Sequence, residues 1–490
     1  MELAEEEFKR LGYRAVDLAA AYLSGLPDRA VFQRMTEEQR QALMQMPMPS
    51  APMAGDEILQ CIAERILPFP MGNGHPRFFG WVNSPPAAMA VITEMLATAM
   101  NPSCAGGDHA DVYLEHCVVR WLMEMLSFPT EGSAGHLVSG GSAASLTALA
   151  AARTMAHRRL GIDVRREGVA GKLRLYASTQ THSCVQKAVE LLGMGSDSIR
   201  WIATDGDFRI SVDELRLALR EDRRDGWRPF CIVANAGSVH TGAVDPLDAL
   251  ASLAEQEGLW LHVDGAYGAA GILDPATRRL FAGIERADSI ALDPHKWLST
   301  PIECGCVLVR DGALLRSTFA LVPAYLQTEA GKGAGNLPWF SEFSVQQTRA
   351  FRSLKLWVTL VHAGRANLER QISRQIALAR YLENRIETIP GLELLSRGKL
   401  SIVCFRLAPA ILAGEEEALR ALNKRVMERV QEQGEAFLTG ALLDGRFALR
   451  ACILHYGTQK KDIDAMLASV LACGEECLRG EQPAKDAGRA

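Results

Sequence analysis

Between about residues 135 and 310, short apolar runs alternate with longer helical patterns, and this alternation constrains the fold more than any other feature of the chain. The runs are "HLVSGG", "LRLYAS", "FCIVANAG", "LWLHVDGA", "SIALDP" and "CGCVLVR", each followed by a polar or glycine-containing turn. Continuous apolar strands bounded by turns and spaced by helices are the pattern of an α/β domain whose mostly parallel sheet is covered by helices. Ligands of such sheets collect at the carboxyl ends of the strands. The polar residues that follow these runs are therefore the first candidates for function.

The flanks read differently. Leu11, Ala15, Leu18 and Tyr22 recur at helical spacing near the N-terminus, which places them on one face of an amphipathic helix. That face fits either ordinary core packing or an arm docked on a second subunit. A Pro-interrupted stretch, "MPMPSAPMAGDEI" (46–58), reads as a linker. After a Gly-rich stretch at 331–335 and a long helical region near 350–390, "KLSIVCFRLA" and "GRFALRACIL" supply further strands separated by a helix, a smaller C-terminal α+β domain.

Bulk properties narrow the function. With 490 residues, 48% apolar and 23% charged, the chain can bury a large core and exceeds the usual single domain. The net charge of −5 and the lack of Lys/Arg clusters interleaved with aromatics point away from nucleic acid and anionic membranes and toward small molecules. The acidic opening "MELAEEEFKR" is unlike a signal peptide, and no apolar run approaches the roughly 20 residues of a membrane span; a cytoplasmic protein is expected. The eleven cysteines form neither a disulfide framework nor the paired CxxC spacing of a zinc site, so no metal is expected.

Four strand ends carry polar residues that make sense together. After "HLV" comes Ser139-Gly140-Gly141-Ser142 and then a helical run; a helix N-terminus of small residues suits a phosphate, although a tight strand-to-helix turn explains the same residues. His182 follows "LRLYAS", and a lone histidine at a strand end is more often a satisfied structural group than a catalytic one. Asp264 follows "LWLHV", with Gly265, Ala266 and Gly268 leaving room for something flat to approach; a helix N-cap is the alternative. "SIAL" ends in Asp293, Pro294, His295, Lys296 and Trp297. Lysines are mostly exposed, but phosphate cradle, flat-ring pocket, carboxylate and lysine in this order are what pyridoxal phosphate requires. The carboxylate keeps the ring nitrogen protonated and the lysine forms a Schiff base.

The sequence resembles the pyridoxal-phosphate group II amino-acid decarboxylases, the family of aromatic-L-amino-acid, histidine and glutamate decarboxylases. The resemblance is carried by "SGGSAASLTAL", "THSCVQKA", "HVDGAYG", "DPHKWL" and "FRSLKLW" in the family's order, with "HPRFFGW" and "SIVCFRL" at the flanks. It implies a fold-type I enzyme with a seven-stranded sheet, working as a homodimer whose active sites borrow residues across the interface. It further implies that Lys296 bonds the cofactor, Asp264 pairs with the ring nitrogen, and His182 stacks on the ring and positions the substrate carboxylate. Gly141 and Ser142 would bind phosphate, Asp293 and His295 would lie near the cofactor, and Ala266 would pack on its other face. The domains expected are a helical arm and dimerisation segment over 1–82, a large cofactor-binding domain over 83–365 and the small domain over 366–490. The activity implied is decarboxylation of an L-amino acid to its amine.

Two places depart from the pattern, Phe340 and the segment around Val239 and His240. The family's aromatic decarboxylases carry a loop tyrosine twelve residues before the second arginine of "RxFRSLK", thought to reprotonate Cα; here that arginine is Arg352 and the position is Phe340. Phenylalanine has no proton to give. In relatives with Phe there, the carbanionic intermediate reacts with oxygen, giving an aldehyde, ammonia and hydrogen peroxide after CO2 loss, so an aldehyde synthase is the second reading. His240 in "NAGSVHTGAVDPL" is either a substrate-side group or a loop residue. The resemblance places Trp81, Ser103 and Phe340 at the substrate pocket, with Ser103 reaching across the dimer, which favours an aromatic substrate. A binding protein that has kept the fold without catalysis is a third reading, opposed by Lys296, Asp264 and His182 standing together.

Overall fold

The computed structural model describes residues 2–321 and 339–480; the Gly-rich stretch 331–335 lies outside them. The main sheet has seven strands: β1 (Ala134–Val138), β2 (Leu173–Ser178), β3 (Ile199–Ile202), β4 (Arg228–Asn235), β5 (Trp260–Asp264), β6 (Ser289–Leu292) and β7 (Gly305–Val309), in the order β1-β7-β6-β5-β4-β2-β3. Pairs from β3 through β6 are parallel, and β7 runs antiparallel to both β6 and β1. The sheet is thus mostly parallel, as the apolar runs require. β3, "IRWI", is the strand missing from those runs: it is a four-residue edge strand with Trp201 exposed, so it lacks the fully apolar signature.

Helix Gly141–Arg159 lies across β4 to β7. Its sequence "GSAASLTALAAARTMAHRR" has no polar face, and Ala144, Ala148, Ala151 and Ala152 are buried in one core with Val138, Leu175, Val185 and Val307. Small side chains let helix and sheet approach closely, and a helix apolar all round is a buried one. The helical region 350–390 is two helices, Arg352–Ala363 and Arg365–Thr388. Gly364, at φ 68° and ψ 153°, takes a positive-φ conformation open to glycine and ends the first.

Contacts divide the chain into two compact units, Ser84–Ala379 with Ser396–Ile402, and the N-terminal residues through Asn83 with Arg380–Leu395 and the residues from Val403 on. The second unit holds strands of a four-stranded sheet, β10-β11-β9-β8, from β8 (Leu392–Ser396), β9 (Ile402–Leu407), β10 (Thr439–Leu443) and β11 (Arg446–Cys452). β10 and β11 form a hairpin closed by Asp444-Gly445, both at positive φ, the conformation of a two-residue type I′ turn. The N-terminal helix is Glu5–Gly25, and Arg10 and Arg14 reach Asp56 at 2.6 and 2.5 Å. The linker expected over 46–58 ends sooner, because a helix starts at Gly55 where the Glu57 carboxylate accepts from Ala54 N–H.

Arg349 and Glu115 tie the large unit together. Both side chains are fully buried and ion-paired. Arg349 Nη1 donates to Cys104 O at 2.7 Å and Nη2 to Leu137 O at 2.6 Å, while Glu115 Oε1 accepts from Leu137 N at 2.8 Å. Removing one member of such a pair strands the other charge in the core, at a cost of about 3–5 kcal/mol. Glu115→Ala is expected to lower unfolding stability by that amount in chemical denaturation; a loss below about 1 kcal/mol, the range of an exposed pair, would contradict this role.

Candidate active site

Lys296 stands four residues past the end of β6, in a turn closed by Lys296 N–H to Asp293 O at 2.9 Å. The next residue, Trp297, is fully buried, stacks on Tyr267 with ring centroids 5.1 Å apart, and donates from Nε1 to Gln375 Oε1 at 2.7 Å. Ser84 Oγ donates to the Lys296 carbonyl. The lysine is thereby held from both sides. Its Nζ lies 3.0 Å from Asp293 Oδ2. Burial lowers the pKa of the ammonium, but the charges of Asp293 and Asp264 and the hydrogen bond to Asp293 outweigh it, so the pKa stands above its ordinary value.

Asp264 ends the neighbouring strand β5, opposite Ala291 of β6. Its Oδ1 accepts from Ala266 N–H at 3.1 Å, and Ala266 O accepts from Asp293 N–H at 3.2 Å, so the two carboxylate-bearing turns are laced together. Gly141 opens the long helix beside them. A Cβ there would come within 2.9 Å of Ala266 Cβ and 3.1 Å of Asp293 Oδ2, so only glycine leaves the helix N-terminus open at this point. Asp293 Oδ1 is buried without a hydrogen-bond partner. His295 faces Gly140, and its Nε2 is 3.8 Å from Asp293 Oδ2. Ser142 is exposed at the second residue of the helix. An open helix N-terminus, an unused carboxylate oxygen, a second carboxylate and a lysine fit the donor set of pyridoxal phosphate.

His182 precedes helix Cys184–Leu191, and its Nδ1 accepts from Cys184 N–H at 3.2 Å. In the neutral ring the proton then sits on Nε2. Partial burial lowers its pKa, opposed by Asp264 and reinforced by Lys296 and Lys187. Lys296, Asp264, His182, Ala266, Gly141, Asp293 and His295 are therefore brought together.

The three residues assigned to the substrate pocket lie differently. Trp81 is 45% exposed in a cluster with Phe78 and Phe437. The segments that carry Ser103 and Phe340 are joined by Ser341 N–H to Ala105 O at 3.1 Å. Phe340 is 1% exposed, stacked on His116 at 4.7 Å and capped by the Arg349 guanidinium at 4.7 Å. The sequence reading missed His262. It sits two residues before Asp264, and the alternation of strand side chains places it on the same face.

A lysine held between two carboxylates at the carboxyl edge of a mostly parallel sheet, beside a glycine-opened helix, defines a pyridoxal-phosphate enzyme. The pyridoxal-dependent decarboxylase conserved domain matches residues 37–408. An aromatic-L-amino-acid decarboxylase of Bacillus atrophaeus is 33% identical over 97% of both chains. A phenylacetaldehyde synthase of a Rosa hybrid cultivar is 29% identical, covering 94% of this chain and 92% of its own. The crystal structure of Oryza sativa TDC with PLP and tryptamine superposes with a TM-score of 0.91 at 28% identity, over 97% of this chain and 99% of its own. The chain belongs to the pyridoxal-dependent decarboxylase family, and it is a carboxy-lyase that uses pyridoxal phosphate.

The Gly141 geometry makes its own test. Overpacking of about 1–3 kcal/mol at a site with no room for a methyl group should weaken cofactor binding about tenfold or more. Gly141→Ala is expected to fold, by circular dichroism, and to need correspondingly more pyridoxal phosphate in an absorbance titration. Wild-type affinity in the variant would remove Gly141 from the cofactor site.

Proposed function

We propose that this protein decarboxylates an aromatic L-amino acid to the corresponding amine and CO2, with Lys296 as the residue that bonds the cofactor. The observation that carries this is the Lys296 ammonium 3.0 Å from Asp293, a partly buried amine whose charged form the neighbouring carboxylates favour. Bound pyridoxal phosphate supplies the electron sink that accepts the electron pair left when the bond from Cα to the carboxylate breaks.

The chain's own residues would hold and orient the reactants. Gly141 N–H and the Ser142 hydroxyl would take the phosphate, where the helix dipole favours an anion. Asp264 would accept the ring nitrogen's proton in a charged hydrogen bond, Ala266 would bear on one ring face and His182 on the other. Asp293 and His295 would border the phosphate end. His182 carries its proton on Nε2, which makes it the donor nearest at hand for the substrate carboxylate or for Cα.

The aromatic preference is supported by the names of the similar proteins, an aromatic-L-amino-acid decarboxylase and tyrosine and tryptophan decarboxylases among them. A homodimer is supported by apolar residues left exposed on two helices: Phe8, Tyr13 and Val16 on Glu5–Gly25, and Ile92, Leu96 and Met100 on Ala88–Met100. All eleven cysteines are unpaired, which suits a reducing cytoplasm. No helix among the described residues is long and apolar enough to cross a membrane.

Phe340 favours a second reading. A buried phenylalanine cannot reprotonate Cα, and the similar proteins include a phenylacetaldehyde synthase. That reaction consumes one O2 and one water per amino acid and yields the aldehyde, CO2, ammonia and hydrogen peroxide.

Holoenzyme screened against the common L-amino acids and L-DOPA, with CO2, oxygen and peroxide followed together, separates the two. CO2 with amine and no oxygen uptake is expected with an aromatic substrate, and Lys296→Ala should lose about 10^3-fold or more in turnover. Peroxide equal to CO2 would replace the amine reading with the aldehyde one, and Phe340→Tyr should then lower peroxide per CO2. Full activity in Lys296→Ala would contradict both.

A further inference from the structure

Asn235 is the last residue of β4, and an amide is an unusual occupant of a buried strand end. β4 lies between β5, which ends in Asp264, and β2, whose end leads into His182. Toward β5, Asn235 pairs with Asp264 in the ladder, and the next residue, Ala236, donates its N–H to Asp264 O at 2.8 Å. Toward β2, Asn235 Nδ2 lies 3.1 Å from Ser178 Oγ and 3.2 Å from Thr181 Oγ1, two hydroxyls of the turn that precedes His182. That turn is closed by Thr181 N–H to Ser178 O at 3.0 Å, and Ser178 Oγ also accepts from Gln180 N–H at 3.3 Å.

Asp245 fixes which way the amide faces. It is buried, its Oδ1 accepts from Ile210 N–H at 2.7 Å, and its Oδ2 accepts from Asn235 N–H at 2.6 Å and lies 3.0 Å from Asn235 Nδ2. Burial pushes its pKa up to about 6, against the hydrogen bonds from Asn235 and Ile210, so at neutral pH it is a carboxylate and only accepts. The Asn235 side-chain atom beside it is therefore the nitrogen, which only donates. One proton of that nitrogen serves Asp245, and the other is left for the Ser178 and Thr181 hydroxyls. With the amide turned over, two acceptors would face each other in a dry interior.

We infer that Asn235 is a positioning residue for His182: its amide, aimed by Asp245, pins the turn at 178–181, so that His182 is set relative to Asp264, which the Asn235 backbone holds on the other side. The inference rests on the reading of His182 and Asp264 given above. The His182 side chain is exposed, so its place is set by the backbone on either side of it. On one side Thr181 precedes it directly and is buried under the Asn235 amide. On the other the helix takes over, with Val185 N–H to His182 O at 3.1 Å and Cys184 N–H to His182 Nδ1 at 3.2 Å.

The test is a double-mutant cycle on the holoenzyme, with whichever of L-tryptophan, L-tyrosine and L-DOPA the wild type decarboxylates fastest. Asn235→Ala is expected to keep the visible band of the bound cofactor but to change the circular dichroism of that band. Its kcat for CO2 release should fall about ten- to a hundredfold, the scale on which a misplaced group costs rate. In a His182→Ala background the same substitution should alter neither the dichroism nor kcat further, because a residue that acts through His182 has nothing left to position. Where His182→Ala turns over too slowly to measure, the dichroism carries the comparison. Ser178→Ala combined with Thr181→Val removes both hydroxyls and leaves Asn235 on Asp245; it should repeat the pattern, and it carries the test if Asn235→Ala does not fold. Equal losses in the two backgrounds would make Asn235 a support of the fold alone and overturn the inference, as would wild-type dichroism and kcat in Asn235→Ala. If His182→Ala alone matches the wild type, the reading of His182 fails and the inference with it. A wild type without any cofactor band would overturn the Lys296 reading instead.

Discussion

A lysine charge partly withdrawn from water is held by nearby anions, and the structure turns on how this is done at Lys296. Desolvation alone favours the neutral amine. Asp293, one turn earlier, and Asp264, on the next strand, reverse that tendency. Each carboxylate is placed by the sheet: β5 and β6 are adjacent and parallel and end at the same edge. The two turns that follow are joined by Asp293 N–H to Ala266 O. A parallel sheet gathers strand ends at one edge, and that gathering brings together residues more than thirty positions apart in sequence.

The same edge explains the glycine and the tryptophan. Gly141 is without a side chain because Ala266 and Asp293 already occupy the space a Cβ would need. Trp297 is large and buried because the residue before it must not wander, and its indole is pinned both by stacking on Tyr267 and by Gln375. Rigid packing behind a reactive group reduces the ordering that must occur when a ligand arrives. Phe340 sits in a buried place of its own, under Arg349 and His116.

Most of the sheet and most of the lysine site were legible in the sequence, for one physical reason. Strands buried on both faces are continuous apolar runs whose polar residues follow immediately, so Asp264, Asp293 and Lys296 could be singled out in the sequence, and the sheet brings them to one edge. What escaped notice depends on neighbours in space. β3 is a short edge strand with Trp201 and Arg200 turned outward, and β8 has only two of its five residues buried. Glu115 and Arg349 meet across 234 residues. His262 was visible as a residue, and its position two before Asp264 was a usable signal, but Ser145 and Ser289 join it only through the packing of the helix and β6.

The central claim is that Lys296 is the amine that bonds the cofactor, and the most direct measurement is to reduce the holoenzyme with borohydride and map the modified peptide by mass spectrometry. The account expects a phosphopyridoxyl group on Lys296, in the peptide containing "DPHKWL", and on no other lysine. A label on a different lysine, or none in a protein that has bound the cofactor, would contradict it.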